Sequence, residues 1–100
     1  MTDSHHHPRI TLLYCTRCNW LLRAAWLAQE LLQTFGTELG EATLQPSDGG
    51  VFQIYVETGP NERTQLWCRS EDGGFPEAKI LKRRLRDQIA PGQDLGHNDR

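Results

Sequence analysis

The sequence contains no long apolar run and no recognisable leader segment. Its apolar stretches fall well short of the ~20 residues that a membrane-spanning helix needs. Residues 1–8 lack both the basic segment and the apolar segment that begin a secretory signal peptide. The sequence therefore predicts a cytoplasmic protein with no membrane partner.

An excess of positive charge is also missing. The chain has 11 Lys and Arg against 13 Asp and Glu, a formal net charge of −2. Nucleic-acid-binding domains usually carry a strong basic excess, so no nucleic-acid partner is expected. The 100 residues, 37% of them hydrophobic, predict one small globular domain at residues 9–97. A disordered tail is expected at residues 1–8 and a short C-terminal tail at residues 98–100.

Cysteines are few, but two of the three lie close together at a predicted strand end. Residues 9–14 read as a strand, and Cys15-Thr-Arg-Cys18 follows at once, before a helical pattern. A cysteine at a helix N-terminus meets free N–H groups and the helix dipole, which lower its pKa. Arg17 adds a positive charge, and Cys18, one helical turn on, can close a disulfide with Cys15. Because cytoplasmic thiols are kept reduced, this pattern predicts a redox-active dithiol rather than a structural disulfide.

A Cys-x-x-Cys pair could instead be half of a zinc site, which requires two more ligands. The remaining candidates are Cys68, His97 and the histidines at positions 5–7, and they show no second paired spacing. The histidine run is too short to indicate a metal site by itself. Redox chemistry is favoured and no metal or other cofactor is predicted. A soft-metal module for Cu(I) or zinc stays open as an alternative.

The remaining sequence pattern predicts the element order β-α-β-β-β-α. After the first strand come a helix at residues 19–35, strands at 41–45, 51–57 and 64–69, and a last helix that opens near residue 75 and ends before residue 91. A strand–helix–strand unit gives two parallel strands, and the two later strands form a hairpin. The expected fold class is therefore α/β and thioredoxin-like, with a four-stranded mixed sheet and both helices on one face.

Several single residues also carry expectations. Cys68 is predicted to be a small buried residue on the same strand face as Leu66, with a pKa raised by burial and slow alkylation. Trp26 falls among polar positions of the first helix and is expected to be exposed. Tyr55 and Trp67 are expected on the sheet face left bare of helices. Trp26 and this open face are candidate protein contacts, and a non-catalytic interaction module is a second alternative.

Four motifs occur in a fixed order along the chain. Cys15-x-x-Cys18 follows the first strand, Gly-Gly-Phe-Pro-Glu-Ala-Lys at residues 73–79 opens the last helix, Leu81-Lys82 lies within it, and Asp-Leu-Gly-His occupies residues 94–97. Together they resemble the selenoprotein W-like (Rdx) family, in a cysteine-containing, bacterial-type form. A Cys-x-x-Cys pair alone is unspecific, but combined with the run at residues 73–79 it is a specific signal.

The resemblance implies a thioredoxin-like fold and a thiol redox role in cell redox homeostasis, with glutathione or thioredoxin as the linked reductant. Selenium-containing relatives carry selenocysteine at the position of Cys18. Thioredoxins themselves have a cis-proline before the third strand, where this chain has Gly49 and Gly50. Substrate docking of the thioredoxin kind is therefore not implied.

The predicted chemistry is thiol–disulfide exchange, in which one thiolate attacks and the other thiol closes the Cys15–Cys18 disulfide. Helix geometry favours Cys15 as the exposed attacking thiolate, with Cys18 partly covered, whereas the selenocysteine position favours Cys18. Arg17 and Phe75 are candidate substrate-binding residues, although Phe75 equally fits a core position at the helix entry. Protein or low-molecular-weight thiols and disulfides are the expected partners.

Overall fold

A computed structural model describes residues 7–96, and this part of the chain forms a four-stranded sheet with three helices. Its elements are β1 (Arg9–Cys15), α1 (Leu21–Thr34), β2 (Glu41–Ser47), β3 (Phe52–Gly59), β4 (Glu62–Cys68), α2 (Arg69–Asp72) and α3 (Ala78–Ile89). His5, His6, His97 and most of the two predicted tails lie outside the described residues.

The sheet has the strand order β2-β1-β3-β4. β1 pairs in parallel with β2 and antiparallel with β3, and β3 pairs antiparallel with β4. The parallel pair results from the helical crossover through α1, while a tight turn joins β3 to β4. The predicted thioredoxin-like arrangement with a mixed sheet is confirmed.

One face of the sheet carries the core, because apolar residues alternate along its two central strands. Helices α1 and α3 cover this face. The inward-facing side chains are Ile10, Leu12 and Tyr14 of β1, Phe52, Ile54 and Val56 of β3, Ala24, Leu27, Ala28 and Leu31 of α1, and Leu81 and Leu85 of α3. Within residues 7–96 no helix has the length and apolar character needed to cross a membrane.

Helix α1 begins later than the sequence predicted, at Leu21 instead of residue 19. Asn19 adopts a left-handed conformation with φ of 61°, which ends the preceding turn, and Trp20 is the N-cap residue. Within α1, Leu27 is buried while Leu21 and Leu32 are exposed. The helix therefore turns two leucines of its first turn, Leu21 and Leu22, toward solvent.

The segment between β4 and α3 contains a short helix that the sequence did not reveal. Residues 69–72 form α2, which ends at Gly73 with φ of 81°, a left-handed C-cap conformation that favours glycine. α3 then begins at Ala78 with Glu77 at its N-cap, slightly later than predicted. Glu71 and Asp72 are the last two residues of α2.

A β-bulge in β4 changes which residues face the core. Ile54 pairs with Trp67 and Tyr55 with Gln65, so that Leu66 is the extra residue between them. Trp67 consequently faces the helices, and its indole Nε1 donates to the Gly74 carbonyl at 2.8 Å. The prediction that Trp67 lies on the open face is wrong.

Candidate active site

The two motif cysteines lie at the end of β1 that faces the start of α1. Cys15 is the last residue of β1 and pairs with Ser47 of β2, and a four-residue turn carries the chain from Thr16 to Asn19. The Thr16 N–H donates to the Ser47 carbonyl at 3.0 Å, and the Asn19 N–H donates to the Thr16 carbonyl at 3.1 Å. The strand pairing and the turn together fix the backbone on both sides of the motif.

Cys15 and Cys18 form a disulfide with their Cα atoms 5.3 Å apart. This separation lies within the usual range for bridged cysteines, so the turn brings both side chains together without displacing the strand. The third cysteine, Cys68, is free. The pairing of the two motif cysteines therefore follows from the turn that separates β1 from α1.

The two cysteines differ sharply in exposure, in the opposite sense to the prediction. Cys15 is 1% exposed, whereas Cys18 is only partly buried. The prediction rested on placing the motif in the first helical turn, but α1 begins three residues after Cys18. Cys15 is instead buried as a strand residue, and Cys18, on the turn, keeps part of its surface exposed. The argument that exposed Cys15 attacks from a helix N-terminus is therefore wrong in its premise.

An aromatic cluster adjoins the motif. Trp20, two residues after Cys18, makes an edge-to-face contact with Phe75 at 4.9 Å between ring centroids. Phe75 makes a second such contact with Phe52 at 5.0 Å. Phe75 thus lies in the loop ahead of α3 as predicted, and it contacts both a core residue and the residue that leads out of the motif.

Three arginines surround the motif and this cluster. The Arg23 guanidinium lies 4.1 Å from the Phe75 ring centroid, and that of Arg69 lies 4.9 Å from the Trp20 centroid. Arg17 is exposed on the turn between the cysteines. Among residues 7–96 none of the three arginines forms an ion pair with a carboxylate. Arg17 thus places an exposed positive charge on the disulfide turn, and Arg23 and Arg69 place two more against the adjoining aromatic cluster.

Sequence reasoning missed Trp20, Arg23 and Arg69. Trp20 had a usable signal, because it follows the motif directly. Arg69 had none, because its position depends on the short helix α2, which has no apolar periodicity. The structure brings Arg69 to Trp20, beside the motif, across about fifty positions of sequence.

A cleft of about 470 Å³ opens beside the turn. Its lining consists of Tyr14 from β1, Thr16 and Asn19 from the turn, and Leu21 and Leu22 from α1. The cleft is more apolar than the surrounding surface because the two leucines are exposed, Leu22 at 83%. A ligand in this cleft would lie next to the turn that carries the disulfide.

Cys68 is buried as predicted, but it lies on the open face of the sheet. The bulge pairs it with Gln53, whose Nε2 donates to the Cys68 sulfur at 3.8 Å, and the Ser70 hydroxyl lies 3.3 Å from the same sulfur. The hydrogen bond with Ser70, followed by one from the Glu71 backbone, lowers the pKa of Cys68 despite its burial. The predicted rise in the pKa is wrong because these donors outweigh desolvation.

The rest of the open face is polar. Arg9 of β1 donates to Glu57 of β3 at 2.6 Å, which lowers the pKa of Glu57. The Arg63 guanidinium stacks on Tyr55 at 3.8 Å, and the Tyr55 hydroxyl donates to Gln53. Tyr55 is therefore on the open face as predicted, where a cation covers its ring.

No group of three or more His, Cys, Asp or Glu side chains within residues 7–96 is arranged to hold a metal ion. His7, the described member of the histidine run, lies 3.4 Å from Glu57 Oε1 through its Nε2.

Trp26 is 51% exposed on α1, as the sequence predicted. The bonded sulfur atoms of Cys15 and Cys18 lie at the end of β1, and the free thiol of Cys68 lies apart from them at the end of β4.

Comparisons with known proteins match this combination of fold and motif. A protein from Bordetella parapertussis with a crystal structure is 60% identical, over 83% of this chain and 100% of that one, with a TM-score of 0.73. A selenoprotein W-related protein from Vibrio cholerae is 51% identical, over 81% of this chain and 95% of that one, with a TM-score of 0.74. A search of the curated proteins found no significant match. A scan against family models matches residues 9–87 to the Rdx family, and the chain therefore belongs to that family.

Proposed function

We propose that this protein carries out thiol–disulfide exchange through Cys15 and Cys18 and contributes to redox homeostasis in the cytoplasm. The observation that carries the proposal is the paired motif itself, in which a fixed turn holds two cysteines at bonding distance with Cys18 reachable from outside. Membership of the Rdx family supports a redox role. Such a dithiol accepts or donates two electrons as the disulfide opens or closes.

The exchange proceeds in two balanced steps. A thiolate of the reductant attacks the sulfur of Cys18, which forms a mixed disulfide and breaks the Cys15–Cys18 bond. The electron pair of the broken bond leaves on Cys15, which then takes up a proton. A second reductant thiolate attacks the reductant sulfur of the mixed disulfide, so that Cys18 leaves as a thiol and the reductant is oxidised. Reduction of a substrate disulfide follows the same steps in reverse.

The class of reductant is part of the proposal, and two candidates follow from the family. Glutathione carries two carboxylates, which suit Arg17, Arg23 and Arg69, since none of these arginines forms an ion pair within residues 7–96. Thioredoxin presents its own reactive dithiol on a protein surface. Glutathione or thioredoxin thus acts as a substrate of the exchange, and no resident cofactor is needed.

The test is an equilibrium titration in glutathione buffers of graded redox poise. After acid quenching and alkylation, mass spectrometry counts free thiols. The expected result is one cooperative two-thiol transition confined to Cys15 and Cys18, unchanged in Cys68→Ser. A pair that does not respond to the glutathione ratio, or that opens only on unfolding, would show that the disulfide is structural.

The reductant is then identified by rate. Oxidised protein is mixed either with reduced glutathione or with thioredoxin, its reductase and NADPH, at matched thiol concentrations. Charge-neutralising Arg23→Gln should slow reduction by glutathione more than reduction by thioredoxin, since a protein has many other contacts to position it and the small ligand has few. Equal slowing of both rates would show that Arg23 has no specific role in the recognition of glutathione.

A further inference from the structure

The first two turns of α1 expose three large apolar side chains next to the disulfide. Leu21 is 46% exposed, Leu22 is 83% exposed and Trp26 is 51% exposed. We refer to these three residues as the α1 apolar patch. Leu22 and Trp26 lie four positions apart on the helix, so their side chains are neighbours on one surface. An exposed group of this kind on a small domain is a feature of contact sites.

The patch is continuous with the redox motif. Leu21 and Leu22 line the cleft whose other wall is formed by Tyr14 and by Thr16 and Asn19 of the disulfide turn. Cys18 belongs to the same turn and is the more exposed of the two bonded cysteines. A chain segment that contacts Leu22 therefore lies within a few residues' reach of the reacting sulfur.

The size of the patch indicates a transient partner. Its three side chains expose on the order of 350 Å², within the range of a single functional apolar patch. A stable protein–protein interface buries about 800 Å² on each partner. The patch is too small to hold two copies of this chain together but large enough to position a short segment for one exchange reaction.

The chemistry of the surroundings restricts the partner further. Glutathione has no apolar side chain and would leave Leu22 and Trp26 in water. A polypeptide can cover them with apolar residues beside its cysteine. Arg17 and Arg23, exposed on either side of Leu21 and Leu22 in sequence, form no ion pair within residues 7–96 and favour a carboxylate on the ligand.

We propose that the α1 apolar patch docks a segment of a partner protein whose exchanging cysteine is flanked by apolar residues and a nearby acidic residue. The inference rests on the proposed thiol–disulfide exchange and names the substrate class of that site. The partner's apolar side chains occupy the cleft and cover Leu22 and Trp26, while its cysteine sulfur meets Cys18. The mixed disulfide forms by the exchange steps given above, with no further oxidant or reductant.

The test uses two synthetic peptides, each carrying its cysteine as a mixed disulfide with thionitrobenzoate. In one peptide Leu and Phe flank the cysteine with a Glu nearby, and in the other Ser and Asn replace the apolar pair. Release of thionitrobenzoate by reduced protein gives a rate for each peptide. The rate with oxidised glutathione is measured separately, by acid quenching and mass spectrometry of the oxidised protein. The wild type is expected to react roughly tenfold faster with the apolar peptide, as one well-buried apolar side chain allows.

Leu22→Gln and Trp26→Gln are the informative variants, because both positions are exposed and glutamine is a good helix former. Each should lower the ratio of the apolar-peptide rate to the oxidised-glutathione rate by several-fold or more. Leu44→Gln is the matched control, since Leu44 is also exposed but lies on the edge strand β2. The control should leave the ratio unchanged.

Three results would overturn the proposal, each in a different way. If the wild type reacts equally fast with both peptides and exchanges normally with glutathione, the α1 apolar patch is not a docking surface, but the exchange function stands. No reaction with any of the three disulfides would remove the exchange function itself. A concentration-dependent dimer on size-exclusion chromatography that Leu22→Gln abolishes would assign the patch to a second copy of this chain.

Discussion

The two bonded cysteines differ most in their access to solvent. Cys15 is enclosed at the end of a central strand, while Cys18 lies on the turn beside the exposed Arg17. Thiol–disulfide exchange requires an incoming sulfur to approach one sulfur along the line of the bond that breaks. Access therefore favours Cys18 as the sulfur that is attacked, in agreement with the selenocysteine position in relatives.

This assignment predicts which single variant traps partners. Cys15→Ser retains the accessible sulfur but loses the resolving one, so it should accumulate mixed disulfides through Cys18. Cys18→Ser should trap several-fold less, because only the enclosed sulfur remains. The measurement is the yield of glutathione adducts after a fixed incubation with oxidised glutathione, read by intact-mass spectrometry.

Both variants should be made in a Cys68→Ser background so that each protein contains one thiol. Circular dichroism confirms that the fold is retained. A higher adduct yield in the variant that keeps Cys15 would reverse the assignment and show that Cys15 becomes accessible when the disulfide opens.

Cys68 provides a pH-dependent contribution to stability. Its pKa is lowered in the native state, chiefly by the hydrogen bond with Ser70, while the unfolded thiol titrates near its ordinary value of about 8.5. At a pH between the two values the unfolded chain binds more protons, so stability rises with pH. The contribution is complete above the ordinary value and is lost as the pH falls through the native pKa.

The prediction is that the urea midpoint of the wild type rises relative to that of Cys68→Ser as the pH is raised toward the ordinary thiol value of about 8.5, and then levels off. Both proteins are measured with a phosphine reductant, so that no disulfide forms. Ser70→Ala should reduce the difference, since it removes the largest cause of the shift. A difference that stays constant with pH would mean that burial and hydrogen bonding cancel at this thiol.

At the residue scale the sequence revealed the identity of the dithiol but not its exposure. The spacing of Cys15 and Cys18 after a β-prone run was enough to predict the bonded pair. The exposure of the two cysteines depends on where α1 begins. That start could not be predicted, because no side chain acts as a clear N-cap for α1. The pKa of Cys68 depended on Ser70 and Gln53, which meet only after the bulge sets the pairing of β4.

Among the elements, the turn between β1 and α1 controls the geometry of the site. Asn19 closes this turn at φ of 61°, a region that asparagine and glycine tolerate and β-branched residues avoid. Trp20 then enters α1 and contacts Phe75 ahead of α3. The turn thus links the disulfide to both helices of the core.

Substitutions at Asn19 should separate backbone conformation from side-chain chemistry. Asn19→Val should lower the unfolding free energy by about 1–2 kcal/mol, the cost of forcing a β-branched residue into the left-handed region. Asn19→Gly should be nearly neutral because glycine adopts this φ freely. Urea unfolding of the oxidised proteins, followed by circular dichroism, gives the comparison. Similar losses in both variants would mean that the amide side chain, and not φ, matters at this position.

The elements predicted from the sequence were those with a clear period. Buried and less buried residues alternate along most of β1 and β3, and both were predicted as strands. The bulge at Leu66 interrupts this alternation in β4. A strict two-residue alternation therefore assigned Trp67 to the wrong face of the sheet. The four residues of α2 are too few to show a helical period, and tertiary contacts with β4 define them instead.

For the whole molecule, the order of elements largely determined the topology. A helical crossover followed by a hairpin leaves few ways to arrange four strands, and the structure adopts the order β2-β1-β3-β4. What the order did not reveal is how α1 and α3 bond to each other. Lys82 of α3 is buried, and its Nζ lies 2.9 Å from Glu30 Oε1 of α1. That contact joins positions fifty-two residues apart, and no local pattern encodes it.

The disulfide should contribute little to the stability of the molecule as a whole. It closes a loop of only a few residues, and neither bonded cysteine belongs to the apolar cluster between the sheet and the helices. Loop-closure entropy for so short a ring is worth at most about 2 kcal/mol, a minor part of the ~5–15 kcal/mol typical of a folded domain.

Reduction should therefore leave the protein folded, with a cooperative urea transition shifted slightly to lower concentration. A Cys15→Ser/Cys18→Ser double variant should match the reduced wild type and show no response to reductant. Loss of the cooperative transition on reduction would mean that the disulfide holds the fold together. A protein whose dithiol opens and closes in each cycle must instead remain folded in both states.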